Sequence, residues 1–257
     1  MKANFIFTLL IGILMISISS AFAQEETKDQ RYMIHEEVAK VNMLHQYEKT
    51  SAEWVELMHE GKLDIPVIHA SQSDDFHYYY LIPIDSYGDI DKLHPKFAEV
   101  SERVGKERWL KMYQENEASI ESHKEYIVLW SADLSYVAKE PRLKPGEEKF
   151  LHWVFFHYKL DKRKEVMGVI KEWKKLYEEK NISSEWSVWI PEIGLDNNLI
   201  ILTEIAKDGA DFYNTMKEIS NQIKEEEQKL WAKLSPNIIK IAQKYGGPRP
   251  DLSYIKK

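Results

Sequence analysis

The chain has 257 residues, a formal net charge of −7 at pH 7, 44% hydrophobic residues and no cysteine. This length allows one large domain or two small ones, and the lack of cysteine excludes a disulfide framework and a lipoprotein anchor. The acidic balance, with Lys and Arg scattered along the chain, disfavours nucleic acid and anionic lipid as partners.

The first 23 residues are typical of a secretory signal peptide. Lys2 provides the positive start, Phe5 to Ile18 an apolar run, and Ala21-Phe22-Ala23 a cleavage site between small residues. An uncleaved anchor is the alternative, but the apolar run is shorter than the about 20 residues that span a bilayer. We therefore expect a protein that is periplasmic or secreted and keeps no membrane anchor after cleavage.

The next part of the chain predicts six elements in the order β-α-β-β-α-β. Residues 32–41 alternate apolar and polar side chains as a half-buried strand does, and Leu44, Tyr47 and Trp54 follow the helical period. Gly105 predicts a break in the second helical region. The predicted ranges are strand 32–41, helix 42–60, strands 66–71 and 76–84, helical region 89–130 and closing strand 133–137.

The same order of elements is predicted again after Pro145-Gly146. The run from Phe150 to Leu160 is apolar on both faces, which predicts a strand that is covered on both sides. Asp161 is a suitable cap for the following helix. The remaining predictions are strands 185–191 and 199–206, a helical region from about 209 with a break at Pro236, a helix stop at 246–248 and a closing strand at 251–255.

A repeated pentapeptide links the two parts. Asp133-Leu134-Ser135-Tyr136-Val137 returns as Asp251-Leu252-Ser253-Tyr254-Ile255, and Trp173 follows Trp54 by 119 residues. A repeated motif together with matching helix positions indicates duplication. The sequence therefore predicts a signal peptide (1–23) and two copies of one α+β module, at 24–140 and 141–257.

Two β-α-β-β-α-β units with apolar sheets resemble the ferredoxin-like modules of the dimeric α/β-barrel superfamily. The start of the second copy, Phe150 to Tyr177, is most similar to NIPSNAP-like or antibiotic-biosynthesis-monooxygenase-like domains. The resemblance implies two sheets packed face to face with helices outside, here as an intramolecular pseudo-dimer and hence a monomer. It implies no specific activity, because members include oxygenases without cofactor, haem-degrading enzymes and modules without known chemistry.

Four residues are candidates for binding a ligand between the two sheets: His35, His152, Trp153 and Tyr80. His35 and His152 each lie early in the first strand of a copy, where an inward ring could act as acid, base or haem ligand. The alternative is that the histidines are hydrogen-bonded structural residues and the aromatic residues are core. The nine histidines lack the spacing of a zinc site, so we expect no metal.

The sequence favours a module that binds a small hydrophobic ligand or partner and needs no cofactor. The alternative is a cofactor-independent oxygenase or haem-handling enzyme that uses His35 or His152. No convergent set of polar residues is visible in the sequence, so it does not decide whether the protein is an enzyme.

Overall fold

The computed structural model describes residues 28–257, so the predicted signal peptide lies outside the described residues. This part of the chain forms nine strands and five α-helices. The strands are β1 (Gln30–Ala39), β2 (Val67–Ser73), β3 (His77–Ile84), β4 (Ile120–Trp130), β5 (Phe150–Tyr158), β6 (Trp186–Ile193), β7 (Leu199–Ala206), β8 (Ile238–Pro248) and β9 (Tyr254–Ile255); the helices are α1 (Leu44–Glu60), α2 (Ile90–Val104), α3 (Lys106–Ser119), α4 (Arg163–Glu179) and α5 (Gly209–Leu234).

Eight of the strands close an antiparallel barrel in the order β3-β1-β4-β6-β7-β5-β8-β2, and β2 pairs with β3 to complete the ring. The strands of the N-terminal half (28–130) lie in the order β4-β1-β3-β2, and those of the C-terminal half (150–248) in the order β8-β5-β7-β6. Hydrogen bonds between β4 and β6 and between β2 and β8 join the halves edge to edge. The predicted packing of two sheets face to face does not include this edge pairing.

The two faces of the barrel bury different side chains. One apolar cluster contains strand residues of both halves and no helix residue, including Ile34, Tyr79, Val128, Trp153 and Ile201, and it fills the interior. The alternate residues of the same strands pack against the helices. Strand β5 contributes to both layers, which confirms the prediction that it is covered on both faces.

Two predicted helical segments are strands, and the two predicted closing strands are not the ones that complete the halves. Residues 120–130 and 238–248 form β4 and β8. Residues 133–137 contribute a single bridge between Tyr136 and Trp186, and β9 has two residues. Much of β4 and β8 is exposed, so neither shows the apolar alternation that marks a half-buried strand.

The repeated pentapeptides cross between the halves. Tyr136, which follows β4, donates a hydrogen bond to the carbonyl of Ile182 at 2.5 Å, and Ser135 accepts one from the Val188 amide. Tyr254, which follows β8, donates to the carbonyl of Leu63 at 2.7 Å, and Ser253 accepts from the Ala70 amide. Each segment therefore packs on the half that does not precede it.

Gly246 lies where β8 meets β2 and the barrel closes. A Cβ atom at this residue would lie 1.9 Å from the carbonyl oxygen of Gln72, so only glycine lets the two backbones approach this closely. The prediction that Gly246-Gly247-Pro248 stops a helix was therefore wrong. Among the described residues, no helix combines the length and apolar composition needed to cross a membrane.

Candidate ligand-binding site

His35 and His152 do not line the interior of the barrel, contrary to the expected placement. His35 alternates with the inward residues Ile34 and Glu36, so its ring faces the helices on the outside. His152 faces outward in the same way, because its neighbour Trp153 belongs to the interior cluster. Whether either histidine binds a ligand stays a prediction.

Trp153 and Tyr80, the other two predicted ligand residues, lie on opposite faces. Trp153 packs inside the barrel with its ring centroid 5.7 Å from that of Tyr79. Tyr80 faces α1, where its hydroxyl lies 2.9 Å from the hydroxyl of Tyr47. The structure therefore does not bring the four predicted residues together in one place.

A polar network fills the space between the sheet and helix α1 in the N-terminal half. The Tyr47 hydroxyl donates to the buried carboxylate of Glu37 at 2.5 Å, and Glu37 also contacts the His35 ring at 2.9 Å. Burial lowers the pKa of His35, but the hydrogen bond and charge of Glu37, with the charge of Glu125, outweigh it and raise the pKa overall. His35 thus has partners within the protein, Glu37 and Glu125.

A cavity of about 560 Å³ occupies the corresponding layer of the C-terminal half, between the sheet and helices α4 and α5. Its walls are mainly aromatic and aliphatic, and its polar residues are few. The sheet contributes Val154, Phe156, Trp186, Val188, Ile200, Leu202, Glu204 and Ile238; the helices contribute Val166, Ile170, Trp173, Tyr177, Met216, Ser220, Lys224, Glu227, Gln228, Trp231 and Leu234. An apolar cavity with a few polar groups is the usual form of a small-molecule site.

Glu204 is the polar group that the sheet presents to the cavity. Its Oε2 atom lies 2.9 Å from Nδ1 of His152, whose Nε2 lies 3.2 Å from Oε1 of Gln243. The ring of His152 also stacks on Tyr245 with centroids 4.9 Å apart. These contacts hold His152 behind Glu204, so a predicted residue supports the site without lining it.

A second group of ionisable side chains lies at one end of the barrel interior. Nδ1 of His77 lies 2.7 Å from the Glu36 carboxylate, and Nζ of Lys244 lies 2.9 Å from both Asp75 and the Tyr79 hydroxyl. Burial raises the pKa of Glu36, but hydrogen bonds from His77 and Tyr126 and the charge of Lys244 lower it overall. All these groups have partners within the protein, which favours a structural role.

Within residues 28–257 no group of three or more His, Asp or Glu side chains is arranged to hold a metal ion. No prediction from the sequence concerned this cavity. A signal was present, since alignment of the two halves places Val166, Leu202 and Glu204 where the N-terminal half has tyrosines.

No protein-family model and no curated protein matches the chain. Solved structures do match its fold. An anthrone oxidase-like protein superposes with a TM-score of 0.57 at 8% identity, covering 87% of this chain and 93% of that one. A proposed monooxygenase from Lactobacillus acidophilus NCFM gives 0.55 at 7% identity, covering 90% and 97%.

A mutant chlorite dismutase from Candidatus Nitrospira defluvii gives a TM-score of 0.50 at 9% identity, covering 89% of this chain and 96% of that one. These three structures share the fold of this chain, a closed antiparallel barrel with helices on its outside. Identities this low establish the fold of the chain and leave its chemistry to its own residues.

Proposed function

We propose that the protein binds a small, mainly apolar aromatic molecule in the cavity between the C-terminal half of the sheet and helices α4 and α5. The observation that carries the proposal is the cavity of about 560 Å³, walled by Trp173, Trp186, Trp231 and Phe156 and floored by Glu204. Aromatic walls provide contact area to flat rings, and the Glu204 carboxylate can orient the bound molecule.

We further propose that the chain is a tandem pseudo-dimer of ferredoxin-like modules divided near residues 140 and 141. The matching strand orders of the halves and their crossed pentapeptides support this. His35 pairs with Tyr80 across β1 and β3, as His152 pairs with Glu204 across β5 and β7. Equivalent residues can therefore be compared.

Equivalent side chains between the sheet and the helices differ in size, and this difference explains the cavity in the C-terminal half. Tyr47, Tyr78 and Tyr80 fill the layer between sheet and helix in the N-terminal half. The equivalent positions in the C-terminal half are Val166, Leu202 and Glu204, which all line the cavity. Three smaller side chains thus leave open the volume that three tyrosine rings occupy in the other copy.

Filling the cavity tests the proposal. The double variant Val166→Tyr, Leu202→Tyr should bind the neutral fluorescent probe N-phenyl-1-naphthylamine at least about tenfold more weakly than the natural protein, because the rings occupy the probe's volume. The matched control is Val137→Tyr, Leu160→Tyr, since both side chains are exposed. If the filled variant keeps its circular dichroism spectrum and still binds the probe with unchanged affinity, the ligand lies elsewhere.

A specific contact favours a second candidate, a cofactor-independent oxygenase. The Glu204 carboxylate, held by His152 at 2.9 Å beside an apolar cavity, is placed to accept a proton from a bound substrate. The resulting substrate anion would then react with dioxygen. Uptake of dioxygen with anthrone, lost in Glu204→Gln, would distinguish this candidate from simple binding.

A haem-handling enzyme, the other alternative that the sequence leaves open, needs an axial ligand to iron. No histidine lines the cavity in the described part of the chain, although Met216 and Tyr177 are residue types that bind haem iron in other proteins. The lining therefore does not match a histidine-ligated haem site. A Soret band on titration with haemin would contradict this assessment.

We propose that the protein is exported, on the signal-peptide pattern of residues 1–23, and that it works as a monomer. The pairing of β4 with β6 and of β2 with β8 supports the second point, because it satisfies within one chain the sheet edges that a single module would leave open. The mass of the protein recovered from the periplasm or medium would test cleavage before Gln24.

A further inference from the structure

The cavity contains a buried tyrosine whose hydroxyl group the protein does not use. Tyr177 on α4 is 7% exposed, and among the described residues no group forms a hydrogen bond with its hydroxyl. No side-chain polar atom of residues 28–257 is both fully buried and without a partner. The Tyr177 hydroxyl is therefore not sealed inside the protein, and the cavity is a space that this residue lines.

Glu204 also has one carboxylate oxygen that accepts no hydrogen bond from the described part of the protein. Its Oε2 atom contacts Nδ1 of His152, whereas no residue of the described chain donates a hydrogen bond to Oε1. His152 is 6% exposed and is fixed on its other side by Gln243. The carboxylate is thus held in one orientation, with hydrogen-bonding capacity left for a molecule in the cavity.

The two groups differ in their hydrogen-bonding roles: the Tyr177 hydroxyl donates and the Glu204 carboxylate accepts. Burial and the charges of Glu204 and Glu227 raise the pKa of Tyr177, so its hydroxyl stays protonated and available as a donor. An ionised carboxylate only accepts. Both residues line the same cavity, and Glu204 is near enough for its charge to act on the Tyr177 hydroxyl, so a ligand that satisfies both carries a donor and an acceptor.

We propose that the ligand is a phenol, an aromatic ring system with a hydroxyl group. Its O–H donates to Glu204, its oxygen accepts from Tyr177, and its rings lie among Trp173, Trp186 and Trp231. This inference rests on the proposed binding function and adds the chemical class of the ligand. The cavity is also lined by Glu227 and Lys224, and two carboxylates against one ammonium group disfavour an aromatic carboxylate as ligand.

Three probes of similar size test the proposal on the natural protein. The apolar core is naphthalene; 2-methoxynaphthalene adds an acceptor, and 2-naphthol adds both an acceptor and a donor. Affinity measured by quenching of tryptophan fluorescence should rise from naphthalene to 2-methoxynaphthalene to 2-naphthol, by about tenfold at each step, because each step adds one hydrogen bond to a buried group.

Two variants show which residue provides each of the two gains in affinity. Tyr177→Phe should remove the advantage of 2-methoxynaphthalene over naphthalene, and Tyr113→Phe on exposed α3 is its control. Glu204→Leu should bring 2-naphthol down to the affinity of 2-methoxynaphthalene, with the exposed Glu121→Leu on β4 as control. If loss of the His152 contact unfolds Glu204→Leu, Glu204→Gln keeps the shape and should lose part of the preference for 2-naphthol.

The outcomes separate this inference from the function on which it rests. If the natural protein binds all three probes with equal affinity, the cavity is a binding site but does not recognise a hydroxyl group, and the phenol proposal is overturned. If it binds none of them, the proposed function fails as well. The graded order, lost in the two site variants and kept in the two controls, supports both.

Discussion

Single side chains decide how the two halves differ in chemistry. His35 and His152 occupy equivalent places on β1 and β5, and each contacts a glutamate at 2.9 Å. In the N-terminal half that glutamate, Glu37, also accepts from Tyr47, whereas in the C-terminal half Glu204 faces a cavity. The same histidine position therefore supports a filled core in one half and a candidate site in the other.

Glu36 should make stability depend on pH in the acid range. Its pKa is lowered from an ordinary value of 4.5 in the folded protein, so the folded state binds its proton less readily than the unfolded state. The stabilisation is present above pH 4.5 and is lost as the pH falls through the lower folded-state value. Urea denaturation at a series of pH values would measure it.

The variant Glu36→Gln isolates that contribution. We expect it to lower the free energy of unfolding by about 1–3 kcal/mol at pH 7, since it weakens the buried contacts with His77 and Tyr126. The free energy of unfolding should then also fall less steeply as the pH is lowered below 4.5, on the acid limb of its pH profile. Glu121→Gln, at an exposed position on β4, should leave the profile unchanged. An unaltered acid limb in Glu36→Gln would show that another group controls it.

At the scale of elements, the sequence predicted best the segments that bury one clear stripe. Strand β1, helix α1 and strand β5 lie within a few residues of their predicted ranges. Strand β8 was missed because Lys240 and Lys244 take inward positions opposite His157 and Trp153, which reverses the usual pattern of apolar inside and polar outside. Lys244 is explained only by its partners Asp75 and Tyr79, which are remote in sequence.

Trp54 and Trp173 also show that the helical period does not predict how deeply a side chain is buried. The helical period predicts that both lie buried on the apolar, sheet-facing stripe of their helices, yet both are half-buried. Trp54 packs against Trp109 of α3 with ring centroids 4.3 Å apart, and Trp173 lines the cavity. A helical period identifies the apolar face of a helix but not the element, or the empty space, that this face meets.

The candidate site was harder to predict than the fold. Val166, Leu202 and Tyr177 each have the residue type of an ordinary core position, so no motif marks them. The cavity exists because side chains from six elements, four strands and two helices, do not fill the volume between them. Such a volume depends on the distances between layers, which the sequence does not reveal.

Two glycine substitutions should have opposite effects on stability. Gly246→Ala should destabilise the protein by about 1–3 kcal/mol, because the new methyl group meets the backbone of Gln72 and Ser73 where the barrel closes. Gly168→Ala should stabilise it by about 0.5–1 kcal/mol, because this residue lies inside α4 with no atom within 4 Å of the added carbon.

Thermal unfolding of the two glycine variants gives the comparison, with the natural protein as reference. Equal effects at the two positions would mean that β8 and β2 are not in close contact in solution. The pairing of these strands at Gly246 and Ser73 would then need revision.

For the whole molecule, the important contacts are those between halves. Two strand pairings and two crossed segments connect them, and each half hydrogen-bonds through a tyrosine to a carbonyl of the other. Neither half could leave the other without exposing strand edges and the apolar interior face. We therefore expect the halves to be interdependent.

Dividing the chain tests this interdependence. Residues 24–140 and 141–257, produced separately, should each be insoluble or self-associating, and together they should form a one-to-one complex with the circular dichroism spectrum of the intact chain. As a control, a protease site placed between Pro145 and Gly146 and cut after folding should leave the halves together. Separate halves that are folded and monomeric at high concentration would contradict the interdependence.

The crossed pentapeptides also set an order on folding during synthesis. The C-terminal half receives its partner segment, residues 133–137, before its own first strand has been made. Leu63 and Ala70 of the N-terminal half gain their partners, Tyr254 and Ser253, only after all the strands of the C-terminal half have been made. The half that is synthesised first is therefore completed last, and deletion of residues 251–255 should destabilise the N-terminal half.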